Sequence, residues 1–230
     1  MHTPTVDAPP HRPSDARTAL ATRVAAAFAA PSVLLLVLVA FSWGPLMSLD
    51  ESIANSTHRW AVGEPGITHT FRILTDWVWD PVTMRLLAAA IAGWLVWRYR
   101  EWWLALWLAV TSAAGTALQQ GLKAAVGRER PAWPDPVDSA HYAAYPSGHV
   151  MTATVVFGLL LWLLHLYGAG RVLMRTAMAV SVVSVVGVGL TRIWLGVHWV
   201  SDVVGGWLLG GLTVALAVLV CEKWHGPART

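Results

Sequence analysis

Four cations (Lys123, Arg128, Arg130, Arg192), two histidines (His149, His198), Ser147 and Asp202 stand out in a chain that is otherwise apolar. They fall in three short clusters: KAAVGRERP from Lys123, PSGH from Pro146, and RIWLGVHWVSD from Arg192. His198 and Asp202 are four residues apart, which on a helix puts them on one face. A carboxylate that accepts from one imidazole nitrogen fixes the tautomer and leaves the other nitrogen free to attack or to take a proton. Arg192 can grip phosphate oxygens with its fork of N–H donors. Ser147 and Gly148 stand at the start of an apolar run, where a helix N-terminus offers free N–H groups to an anion. Gly148 lets backbone come close to a ligand, Ser147 adds a hydroxyl donor, and His149 can pass a proton to a leaving oxygen. Lys123, Arg128 and Arg130 supply fixed positive charge where a phosphoryl transition state spreads its negative charge. No Asp/Glu cluster is present to hold Mg²⁺, so neither a metal nor a cofactor is expected, and the cations take over that work.

The elements that must position these residues read as membrane helices. The chain of 230 residues is 56% hydrophobic and 13% charged, against roughly 25% charged in globular domains. Val24–Trp43 is an apolar run of the length a hydrocarbon core of ~30 Å needs. Trp43-Gly44-Pro45-Leu46 follows it instead of a small-residue cleavage site, so it is kept as an uncleaved first span, kinked or started by Pro31. Further spans are expected over 81–97, 102–123, 148–167, 173–195 and 200–221, with Asp80-Pro81 as a capped helix start. Residues 49–80 read as mixed, with a short interfacial helix near 53–60 and a half-buried stretch over 67–79. Residues 1–18 read as a disordered tail, 19–225 as one all-α domain of six transmembrane helices, and 226–230 as a short tail. Gly205, Gly206, Gly210 and Gly211 form a small-residue face suited to close helix packing.

Six spans put both termini on one side. Arg12, Arg17, Arg23, Arg98, Arg100, Arg171, Arg175, Lys223 and Arg229 share that side, against Arg59, Arg72 and Arg85 opposite once the motif cations are set aside. The positive-inside rule then makes the termini cytoplasmic and gathers all three clusters at the extracytoplasmic face of the cell membrane. Scattered basic residues exclude a nucleic-acid surface. Cys221, the single cysteine, can form neither an intrachain disulfide nor a thiolate metal site. Trp43, Trp97, Trp102, Trp199 and Trp224, at the ends of apolar runs, read as interfacial anchors. Asp50, Asp76 and Asp80 are expected to cap helices or face water, and His58, His69, His141 and His165 to be interfacial or solvated. Gln119 and Gln120 can bond across helices. Nothing in the sequence specifies an oligomeric state.

Lys123, six residues, Arg130-Pro131, then Pro146-Ser147-Gly148-His149, then Arg192, five residues, His198, three residues and Asp202 resembles the type 2 phosphatidic acid phosphatase (PAP2) superfamily. Each motif alone is weak; the three in order, at one predicted membrane face, are specific. The resemblance implies a membrane lipid phosphatase acting on a lipid phosphate such as phosphatidic acid, phosphatidylglycerol phosphate or a polyprenyl diphosphate. It gives His198 the role of nucleophile through a phosphohistidine, Asp202 that of orienting it, and His149 that of proton donor and then base. Lys123, Arg130, Arg192, Ser147 and Gly148 would hold the phosphate. Where the family's third motif begins with Ser-Arg this chain has Thr191-Arg192, which keeps the hydroxyl, and Arg128 lies in the variable part of the first motif. A phosphotransferase that passes the phosphoryl group to another lipid would use the same site. A transporter of anionic head groups would explain the cations but not the second histidine or the His198–Asp202 spacing. A soluble haloperoxidase-like relative is at odds with the hydropathy.

Overall fold

The structure, a computed structural model, describes residues 13–225. The chain forms α1 (Pro13–Ala40), α2 (Gly44–Gly63), α3 (Pro65–Ile73), α4 (Pro81–Tyr99), α5 (Trp102–Val126), α6 (Gly148–Leu166), α7 (Arg171–Trp194) and α8 (Val200–His225). A π-helical turn at Leu74–Val78 extends α3, and no strand occurs among the described residues. Local chemistry explains the boundaries. The Asp80 carboxylate accepts from the Val82 amide at 2.7 Å, with Pro81 at the first helical position, as the sequence predicts. Arg100, at φ 59°, ends α4, and Gly127, at φ 60°, ends α5 by returning its N–H to Lys123 O.

Helix α6 is the centre of the bundle. Val150, Ala153, Val156 and Phe157 pack with Met84 of α4, Val188 of α7 and Val203 of α8. Val155, Leu159 and Leu163 pack with Leu95, Leu108 and Ala217 on α4, α5 and α8. Met151 meets Val39, Tyr145 and Leu209. The glycine face of α8 brings it against α6 and α1. A Cβ on Gly206 would stand 2.9 Å from Val150 Cβ and 3.0 Å from Ser147 O, and one on Gly211 would stand 2.5 Å from the Phe28 ring. Close approach of this kind replaces the hydrophobic drive that helices lack when their solvent is lipid. The outward faces carry large apolar residues, such as Val33, Leu34, Val172 and Val183, all at least 60% exposed, which suits a hydrocarbon surround.

Over Thr18–Ala40, Gly148–Leu166, Arg171–Trp194 and Val200–Lys223 the helices are long and apolar enough to cross a membrane by length and composition. Helices α4 and α5 do not reach that measure; α4 contains Arg85 and Arg98, and α5 contains Gln119, Gln120 and Lys123. The expected tails fall mostly outside the described residues, although α1 already begins at Pro13 and keeps Pro31 inside it. The stretch read as mixed is helical nearly throughout, as α2 and α3.

Candidate active site

The ends of α5, α6, α7 and α8 meet, and the segment 127–147 folds across them. His198 lies in the turn between α7 and α8, and Asp202 in the first turn of α8. They meet, although not as two residues on one helix face: His198 Nδ1 is 3.2 Å from Asp202 Oδ2, which also accepts from the Trp199 amide at 2.9 Å. Arg130 Nη1 stands 3.1 Å from His198 Nε2. A guanidinium can only donate, so Nε2 carries the lone pair and Nδ1 carries the proton given to Asp202. His198 and Asp202 are 2% and 0% exposed. Burial, and then the positive charges of Arg130, Arg192, Lys123 and Arg128, hold the His198 pKa well below the ordinary 6.5, so the ring is neutral.

Arg130 is fixed by carbonyls: its Nη1 donates to Val197 O at 2.6 Å and its Nε to Tyr142 O at 2.9 Å. Lys123, 7% exposed, donates Nζ to Ala143 O and, at 3.5 Å, to Ala144 O. Both cations therefore clamp the crossing segment. Ser147 and Gly148 open α6, and the Ser147 amide donates to Asp202 O at 3.0 Å, which ties α6 to α8. Ser147 Oγ and Arg192 Nε are buried and have no hydrogen-bond partner. Buried donors are ordinarily satisfied, so these two are available to a polar ligand or a water. Arg192 Nη1 is 3.7 Å from Asp138 Oδ2. His149 faces the same space, close enough to interact electrostatically with Arg192, His198, Arg130 and Lys123, and its Nε2 lies 3.8 Å from Asp80 Oδ2. All eight residues singled out from the sequence thus meet in one place. A small cavity lined by Arg85, Gln119 and Thr152 adjoins it. A Cβ on Gly148 would come within 2.6 Å of Gln119 Nε2, so Gln119 packs closely on Gly148.

Comparison with known proteins decides what these residues have in common. Residues 102–225 match the PAP2 superfamily. The chain belongs to that superfamily. Phosphatidylglycerophosphatase B of Bacillus subtilis (strain 168) is 27% identical over 191 residues, which are 82% of this chain and 91% of that protein. A crystal structure described as the first transmembrane PAP2 type phosphatidylglycerolphosphate phosphatase, from Bacillus subtilis, superposes with a TM-score of 0.75 at 25% identity. It covers 86% of this chain and 98% of its own. The protein is a membrane phosphatase of the PAP2 superfamily.

Several residues of this PAP2 phosphatase escaped the sequence reading. Asp50, 1% exposed, does not face water: it accepts from Arg128 Nη2 at 2.7 Å and from the Ser201 amide at 2.9 Å. Arg128 also donates to Asp202 Oδ1 at 2.7 Å. His58 is not solvated; it stacks on Trp133 at 4.0 Å and bonds Asp135 at 3.0 Å, fixing the crossing segment to α2. Trp199, read as an interfacial anchor, donates its Nε1 to Glu129 O at 2.9 Å, and its ring lies 5.5 Å from the Arg128 guanidinium. Thr191 keeps its hydroxyl bonded, 2.7 Å from Thr75 Oγ1. The only signal for Asp50 is its spacing with Ala54, His58 and Ala61, the buried stripe of α2.

Proposed function

We propose that this phosphatase hydrolyses a lipid phosphate through a phosphohistidine on His198, without a metal. The supporting observation is the line Arg130–His198–Asp202, which puts the proton on Nδ1 and the lone pair on Nε2. An incoming phosphate oxygen would take over the Arg130 donor and release that lone pair, and Ser147 Oγ and Arg192 Nε are further buried donors without a partner. In the first step Nε2 forms a bond to phosphorus while the bond from phosphorus to the lipid oxygen breaks. His149 gives its proton to the leaving oxygen, and Asp202 supports the charge gained by the His198 ring. In the second step His149 takes a proton from water, the water oxygen attacks phosphorus, and the bond to Nε2 breaks. Ser147, the Gly148 backbone and Arg192 hold the phosphoryl oxygens, with Lys123 and Arg130 adding positive charge.

Arg85 lines a small cavity beside the site, and its charge suits a leaving group that itself carries an anionic phosphate. That favours phosphatidylglycerol phosphate, or a polyprenyl diphosphate, over phosphatidic acid. The relative named phosphatidylglycerophosphatase B supports the first of these. The arrangement proposed in the cell membrane is six spans, α1 and α4–α8, with the termini in the cytoplasm and the site outside, on the basis of the basic residues. The test is phosphate release by purified protein in EDTA, over these three lipids, beside His198→Ala. Release by the wild type that His198→Ala abolishes is expected, with phosphatidylglycerol phosphate preferred. Dependence on added metal, or full activity of His198→Ala, would refute the mechanism. Right-side-out vesicles should act on substrate in their outer leaflet; action only from the inner leaflet reverses the orientation.

A further inference from the structure

A second carboxylate stands behind the one that holds His198, and it comes from a helix outside the three motifs. Asp50 of α2 accepts from Arg128 Nη2 at 2.7 Å with one oxygen and from the Ser201 amide at 2.9 Å with the other. The Ser201 hydroxyl also donates to Asp50. Arg128 Nη1 in turn donates to Ser201 Oγ at 2.6 Å and to Asp202 Oδ1 at 2.7 Å. The side chains of Asp50, Arg128 and Asp202 are 2%, 10% and 0% exposed. We propose that Asp50 is a positioning residue of the reaction: through Arg128 and Ser201 it sets the charge and orientation of Asp202, and through Asp202 those of His198. The proposal rests on the phosphohistidine reading above.

The physical argument is one of charge balance. Two buried carboxylates share one guanidinium, so the Arg128 charge is divided between them and the group keeps a net negative charge. Asp202 then keeps enough negative character to support the positive charge that His198 gains when Nε2 bonds to phosphorus. Without the Asp50 charge, Arg128 would neutralise Asp202 alone. Asp50 also accepts the Ser201 N–H at the start of α8, so it caps from a neighbouring helix the element that carries Asp202. Such networks are worth more than their separate bonds when every member is satisfied. The charged and titratable groups around His198 are Asp202 from α8, Lys123 from α5, Arg128 and Arg130 from the segment after it, His149 from α6 and Arg192 from α7.

The test is the kinetics of the full chain in detergent with phosphatidylglycerol phosphate, comparing wild type, Asp50→Asn, Arg128→Gln and the double variant. Asp50→Asn keeps the size of the side chain and removes its charge. It should lower kcat about tenfold or more with KM within about threefold, because the lost support belongs to the transition state. The acid limb of kcat/KM should move to lower pH, because an unbalanced guanidinium makes His198 harder to protonate. The double variant should lose clearly less than the two single losses multiplied together, since Asp50 acts in part through Arg128. Wild-type kcat in Asp50→Asn, an unmoved acid limb, or losses that simply multiply would overturn the proposal. If Asp50→Asn does not fold, Ser201→Ala decides: it keeps both charges and should lower kcat several-fold at unchanged KM, and wild-type kcat would overturn the link. Activity in His198→Ala would instead refute the parent mechanism, so the two failures are distinguishable.

Discussion

At the scale of the residue, the proposed chemistry depends on His198 staying neutral in a nest of cations. Its pKa is held well below 6.5 by burial and by Arg130, Arg192, Lys123 and Arg128. Protonation would remove the proposed nucleophile, and it occurs only as pH falls through the depressed value, so the neutral ring persists through the ordinary imidazole range. By linkage, the same shift costs stability as pH falls below about 6.5, where the unfolded chain takes the proton first. Arg130→Gln removes the cation nearest Nε2 and should raise the acid limb of kcat/KM relative to wild type. Substrate ionisation is common to both proteins, so the difference between their pH profiles reads His198; a limb that moves down contradicts this account. The motif residues were legible because their spacing is short and their chemistry is unusual in an apolar chain. Asp50 was not, because its partners lie 78 and 151 residues away and its neighbours Ser48 and Glu51 make a carboxylate there unremarkable.

At the scale of the element, the site exists because α8 can approach α6 closely. Gly206 faces Val150 Cβ and Ser147 O at distances no Cβ tolerates without movement. Gly206→Ala should push α8 from α6 and separate Asp202 from the Ser147 amide that bonds its carbonyl. The expected cost is about 1–3 kcal/mol of stability, read as a lower unfolding temperature in detergent, together with a lower kcat. Gly44→Ala meets nothing within 4 Å and is the control. Equal unfolding temperatures for the two variants would contradict the packing argument. The glycine face and the boundaries of α4 to α8 were readable, because apolar runs there stop at proline, glycine or charge. Helix α2 was readable only as a short helix near 53–60, and α3 only as a half-buried stretch, because Ser48, Asp50, Glu51 and Asn55 break up the hydropathy of a helix whose buried stripe is partly polar.

At the scale of the whole molecule, three sequence clusters far apart become one site because the helix ends that carry them meet, with segment 127–147 clamped over them by Lys123, Arg130 and the His58–Trp133 stack. Membership in the PAP2 superfamily, expected from the three motifs, is shown by the match over residues 102–225. Among the described residues, helices α4 and α5 fall outside the four helices that are long and apolar enough to cross a membrane, and one polar residue of each, Arg85 and Gln119, lines the small cavity beside the site. The central claim is that His198 carries the phosphoryl group between the two steps. The most direct measurement is to mix the protein with substrate labelled in its terminal phosphate, quench under alkaline conditions that preserve phosphohistidine, and locate the label by peptide mapping. Label on His198, absent from His198→Ala and accumulating in His149→Ala if water attack becomes slow, is the predicted result. Substrate turnover with no protein-bound label at any quench time, or label on another residue, would contradict it.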